Sequence, residues 1–243
     1  MRALSHLCFI FQIIFHLISA SALNSKLNLI RQTAVCDRGF FATPLQRENI
    51  KNAIEELVAE GGFPVPTRGL APNLDEAEDC PLEGLWSLLY TDAFDVVSLA
   101  ASPVTALRGV YFEIDRSGQS SNLIDFAPRL EATFGSAFPE STVRARVKTR
   151  SRARNETRVG LSFVGAKVEP KKFLGLDVSG LPPLGGDFPN LASLGIGAGD
   201  KADNSSPGFY DILFIDEDLL ILRQNEPGGV FVSTRVHSDR ASE

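Results

Sequence analysis

Histidine, cysteine and the polar aromatics are scarce in this chain, with three His, three Cys, three Tyr and one Trp among 243 residues. His6 and His16 fall within the first 22 residues, so only His237 stands in the body of the chain. No histidine-based triad or His-rich metal site can be assembled from that stock. Catalytic residues, metal and cofactor are all expected to be none. Cys8 lies in the same N-terminal stretch, and Cys36 and Cys80 cannot make a disulfide framework of the kind small secreted domains rely on. An excess of basic charge is also missing: 24 Lys and Arg face 30 Asp and Glu, for a formal net charge of −6. That balance speaks against nucleic acid as a partner. The acids Asp75, Glu76, Glu78 and Asp79 lack the ligand spacing of a calcium loop. The G-x-G-x-G run from Gly195 to Gly199 has neither the preceding strand nor the following helix of a nucleotide loop.

What is present begins with a leader. Met1 to Ala22 has Arg2, then "LCFIFQIIFHLISA", then small residues, which is the layout of a secretory signal peptide. The alternative is a membrane anchor, but the apolar run is shorter than the ~20 residues of a span and contains Gln12 and His16. From Leu23 to Ala42 the bases Lys26, Arg31 and Arg38 outnumber one acid, Asp37, as in an organelle transit peptide. Signal and transit-like segments in series resemble the two-part presequence of plastid proteins in algae with additional plastid membranes. An ordinary secreted protein with a flexible N-terminus is the other reading. One domain, residues 43–238, is expected to follow, and about 200 residues suffice for a sizeable core.

That domain opens on a helix. Thr43 as N-cap, Pro44 and Gln46 make a capping box, Ile50, Ala53, Ile54, Leu57 and Val58 recur at helical spacing, and Gly61-Gly62 ends the run. Thereafter the period drops to two. Strands are expected around Trp86–Tyr90, Val110–Ile114, Leu123–Phe126, Val143–Arg150, Val159–Val164, Tyr210–Ile215, Leu219–Arg223 and Val230–Arg235. The fold class is therefore mainly β, a single antiparallel β-barrel with a leading N-terminal α-helix. The unpatterned stretch from Pro182 to Pro207 is expected to be a long loop at the barrel mouth.

Alternation assigns faces. In "VRARVKTRSRAR" the residues Val143, Ala145, Val147 and Thr149 point inward, and Arg144, Arg146, Lys148 and Arg150 point outward. The basic row is either a solvated face or a contact for an anionic lipid membrane surface, where each base contributes about 1 kcal/mol. The inward aromatic and aliphatic positions Trp86, Leu88, Tyr90, Phe112, Phe163 and Phe214 are candidate ligand-binding residues. A filled core would have the same composition. Seventeen Phe against three Tyr suits a hydrocarbon-like guest.

Two stretches carry a family likeness. "LEGLWSLLYTDAFD", Leu82 to Asp95, resembles the opening motif of the plastid lipid-associated proteins, or fibrillins. "YDILFIDEDLLILRQNEPGGVFVSTR", Tyr210 to Arg235, is similar to their closing block, with Leu220 where the family often has Arg and Gln224 where it often has Gly. The resemblance implies a lipocalin-like barrel at thylakoids or plastoglobules that binds isoprenoids such as carotenoids and quinones without catalysis. It also implies a late arginine stacked on Trp86, for which Arg223 is the candidate. Two other readings remain. One is a lipid- or carotenoid-modifying enzyme using Asp211, Asp216, Glu217 or Asp218, and the other is a coat protein with a solid core.

Overall fold

The computed structural model describes residues 23–73, 79–135, 138–187, 208–225 and 228–237. The signal segment, the acids Asp75, Glu76 and Glu78, the glycine run and most of the expected mouth loop lie outside these residues.

Two helices precede the sheet. Helix α1 spans residues 23–34 and helix α2 spans Pro44–Glu60. The α2 capping box is complete: the Thr43 hydroxyl accepts from the Gln46 amide, and the Gln46 side chain accepts from the Thr43 amide. Ile50, Ala53, Ile54 and Leu57 form its buried face. The transit-like segment packs with it. Leu29 and Cys36 are fully buried beside Ile50 and Leu57, and the Lys26 ammonium reaches Asp216 at 2.8 Å and Asp218 at 3.0 Å.

The strands are β1 (Gly84–Thr91), β2 (Thr105–Ile114), β3 (Gln119–Pro128), β4 (Thr142–Ala153), β5 (Arg158–Phe173), β6 (Leu176–Asp177), β7 (Leu184–Asp187), β8 (Phe209–Ile215), β9 (Leu219–Gln224) and β10 (Gly229–Arg235). They are joined in the order β4-β3-β2-β1-β10-β9-β8-β5, and β4 pairs with β5 to close an eight-stranded antiparallel barrel. Closure removes the exposed edges an open sheet would leave. Strand β5 is long enough for two neighbours on one edge: residues 158–160 pair with β8, and residues 165–168 pair with β7.

Register separates the two faces. Cross-strand partners share a face, so the rows Trp86–Phe112–Asn122–Val147–Ala166 and Ile114–Ser120–Thr149–Phe163 lie on one side. That side is the interior, because Phe112 of β2 meets Tyr210 of β8 edge-on at 6.0 Å across the barrel. The lower end is filled by Trp86, Ile114, Val159, Ile212, Ile215 and Leu220, with Leu70 and Leu82 from the α2–β1 connection as a plug. On the outer side, α1 and α2 cover Leu219, Ile221 and Val232.

Bulges reverse the expected alternation at two positions. Between Leu88 and Tyr90, and again between Ile212 and Phe214, the register slips by one residue. An inserted residue turns everything beyond it to the other face. Tyr90 and Phe214 therefore lie outside the barrel, buried under the helices, and not in the interior where simple alternation put them.

Candidate functional site

The interior changes character along its axis. At the lower end Trp86 is fully buried, and its indole N–H donates to the Leu82 carbonyl at 3.0 Å. Toward the other end the inward side chains become accessible: Phe163, Val143 and Val168 are 37%, 41% and 43% exposed. Their places on the inner wall follow from pairing, Phe163 with Thr149, Val168 with Ala145 and Val143 with Phe126. Exposed apolar atoms on an inner wall mean that this half of the barrel is an open cup.

The cup's rim is apolar as well. The connection from β1 to β2 exposes Phe94 and Val104, that from β3 to β4 exposes Leu130 and Phe134, and the tip of β5 exposes Phe173 and Leu174. All of these turns stand at the same end, because β1, β3 and β5 run toward it and β2 and β4 run away from it. Scattered apolar residues are ordinary on a surface, whereas a concentration at one end marks a contact face.

The candidate residues divide accordingly. Trp86, Leu88 and Phe112 line the interior, Phe163 stands on the open inner wall, and Tyr90 and Phe214 do not line it. Arg223 is exposed on the outer face, opposite Asp211 and Val230 in register. The arginine on Trp86 is Arg235, whose guanidinium carbon lies 4.1 Å from the ring centroid. It pairs with Trp86 across β1 and β10 and donates to the carbonyls of Pro81, Glu83 and Glu217. Desolvation lowers its pKa, and the guanidinium is held by carbonyl oxygens in place of water. The signal for it was the basic end of the last strand, paired with the first strand's tryptophan.

The basic row points outward, as alternation requires, but it is not an uncompensated patch. Arg144 grips Asp125 with two bonds of 2.7 and 2.8 Å, and Arg146 bonds Glu113 and Glu169, each at 2.9 Å. Arg146, Lys148 and Arg150 line an outer groove of about 710 Å³ together with Glu83, Glu113 and Asp115. Like charges along one strand are thus balanced by acids on its neighbours. Farther along, Arg158 is paired with Asp211 and lies 4.1 Å from the Phe209 ring centroid.

The acidic turn after β8 is a joint. The Asp216 carboxylate accepts from the amides of Asp218 and Leu219, closing the turn, and with Asp218 it holds Lys26 of α1. The hydrogen bond from Lys26 holds the Asp218 carboxyl below its ordinary range. Asp211, Asp216 and Asp218 are engaged in these structural contacts.

The two motifs at the ends of the sheet meet at Trp86 and Arg235, and they do so in a chain whose residues 23–233 match the sequence model described as PAP_fibrillin. The chain belongs to the PAP_fibrillin family. No curated protein and no solved structure matches it. Membership makes it a plastid lipid-associated protein in the general sense. The match begins at Leu23, so helix α1, which buries Leu29 in the outer core, lies within the family region.

Proposed function

We propose that this PAP_fibrillin member is a non-enzymatic carrier that takes an apolar isoprenoid or lipid, a carotenoid or quinone among them, into the open half of its barrel. It works at a thylakoid or plastoglobule surface, reached through a two-part presequence whose transit-like part, residues 23–42, stays on the folded protein, a reading supported by the burial of Leu29 and Cys36 in the outer core. One observation carries the reading: the inner wall and the rim expose apolar side chains at the same end. A guest can then pass between lipid and barrel without its hydrocarbon crossing water, whose avoidance is worth about 25 cal/mol per Å² of apolar surface. Arg144 and Arg146 of the basic row are tied to Asp125, Glu113 and Glu169, so anionic lipid headgroups are a secondary attraction and the apolar rim is the primary one. The enzyme reading finds Asp211, Asp216 and Asp218 engaged as structural ties. The coat reading requires a solid barrel, against which the exposure of Val143, Phe163 and Val168 stands.

The test is extraction of the protein purified from a pigmented plastid-bearing host. A stoichiometric apolar guest, together with sedimentation on neutral and anionic vesicles, is expected. Protein free of any lipid that ignores both vesicle types would overturn the proposal.

A further inference from the structure

Among the described residues the open inner wall is mostly apolar, and it carries one amide side chain facing its apolar neighbours. Asn122 faces inward between Phe112 of β2 and Val147 of β4, is exposed, and forms no hydrogen bond through its side chain among the described residues. Immediately below it the wall carries hydroxyls. Ser120 Oγ lies 2.7 Å from Thr149 Oγ1 and 2.8 Å from Ser151 Oγ, and Thr149 is only half-buried. The Tyr210 hydroxyl of β8 is buried and has no hydrogen-bond partner among the described residues. Polar groups in an otherwise greasy cup are therefore gathered at one depth, between the accessible wall and the sealed floor.

We infer that Asn122, with the Ser120–Thr149–Ser151 hydroxyls beneath it, is the site that reads the oxygen-bearing end of the guest. The ligand class is an apolar chain or ring system ending in a carbonyl or hydroxyl, inserted with that end toward Trp86. This rests on the carrier reading above and narrows it. A hydrocarbon lying over Asn122 would strip water from the amide and return nothing, which disfavours it. An oxygen there accepts from the amide N–H₂ or donates to its carbonyl, and Thr149 provides a second partner of either kind. The arrangement follows the pattern of small-molecule pockets, in which a mostly apolar lining is oriented by a few placed polar groups. Asn122 lies two strands from Trp86 in the same cross-strand row, a separation of about 10 Å at the usual strand spacing. The single tryptophan therefore reports arrival of a quinone ring at this depth.

The experiment titrates the folded protein with a decyl-substituted benzoquinone and, separately, with decylbenzene, by calorimetry. Trp86 emission is followed in the quinone titration. Wild type is compared with Asn122→Leu, and with Asn122→Ala should the leucine variant fail to unfold cooperatively. The quantity read is the quinone-to-decylbenzene affinity ratio in wild type divided by the same ratio in the variant, which cancels the ligands' own solubilities. A value of about five to ten is expected, the scale of one lost neutral hydrogen bond. Quenching of Trp86 by the quinone is expected in wild type. A value near one, with both ligands still binding, would overturn the role of Asn122 and leave the carrier reading intact. Failure of wild type to bind either ligand would overturn the carrier reading, and this inference with it.

Discussion

Arg235 lies over the Trp86 ring, its guanidinium carbon 4.1 Å from the indole centroid, and the pair joins the last strand of the barrel to the first. The indole is fully buried, and the arginine satisfies three carbonyls on two different turns, those of Pro81, Glu83 and Glu217. The floor of the cup is thereby locked to the acidic turn that also holds α1. Stacking of this kind contributes about 0.5–2 kcal/mol, and the carbonyls would lose their donors together with it.

Replacement of Arg235 is therefore expected to be costly. Arg235→Gln should lower stability by about 1–3 kcal/mol, combining lost stacking with the half-buried carbonyls of Pro81 and Glu83 left without their donor. Arg235→Lys should recover little, because a point charge cannot serve three planar directions while lying on a ring. Arg223→Gln, on the exposed outer face, should fall within about 0.5 kcal/mol of wild type. Urea midpoints of the three variants measure this. Equal losses at 223 and 235 would refute the assignment of the stack.

Helix α1 is expected to be an integral part of the fold. A chain beginning at Thr43 loses Leu29 and Cys36 from the outer core, and a buried leucine alone is worth about 1.5–3 kcal/mol. Circular dichroism and denaturant titration of that truncation should show a protein several kcal/mol less stable, or unfolded, whereas a chain beginning at Leu23 should be stable. Indistinguishable midpoints would show α1 to be dispensable.

The contact between α1 and the turn also predicts a pH dependence. The Lys26 bond depresses the folded-state pKa of Asp218 below its unfolded value near 4. Unfolding then takes up a proton in the window between those two values, so this contribution is complete above pH 4 and disappears as pH falls through the folded pKa. Lys26→Met should flatten the acid limb of the stability curve. The check is a set of urea midpoints from pH 7 down to pH 3 for both proteins.

The basic row offers a separation of stability from surface binding. Asp125 is 7% exposed, and removing its partner in Arg144→Gln strands a buried carboxylate at a cost of about 3–5 kcal/mol. Asp125→Asn on the same background should restore much of that loss. Binding of the folded variant to vesicles should change little. A collapse of vesicle binding with stability intact would return the row to the role of membrane contact.

The rim is expected to behave in the opposite way. Serine at Phe94, Phe134 and Phe173, which are 77%, 57% and 61% exposed, should leave the melting temperature within a few degrees of wild type. Partition to vesicles should fall by at least tenfold, in a manner insensitive to salt, since burial of apolar area is not screened. Flotation of wild type and triple variant at low and high salt decides it. Unchanged flotation would remove the rim from the contact.

Much of this protein was determined by local pattern alone. The capping box at Thr43 and Gln46 specifies where α2 starts, because its partners are three residues apart and need nothing distant. Period-two runs specify the strands, and the alternation from Val143 to Arg150 correctly predicts the outward arginines. Tertiary structure decided what depends on counting across strands. One extra residue at Leu89 and another at Leu213 sent Tyr90 and Phe214 under the helices, and a bulge has no separate signature in apolar runs such as "LWSLLY" and "YDILFI". Pairing likewise chose Arg235 over Arg223 for Trp86, matched Arg144 and Arg146 with acids 19 to 33 residues away, and set Asn122 on the inner wall. Facing and partnership are properties of the closed sheet, since they arise only when strands remote in sequence come into register.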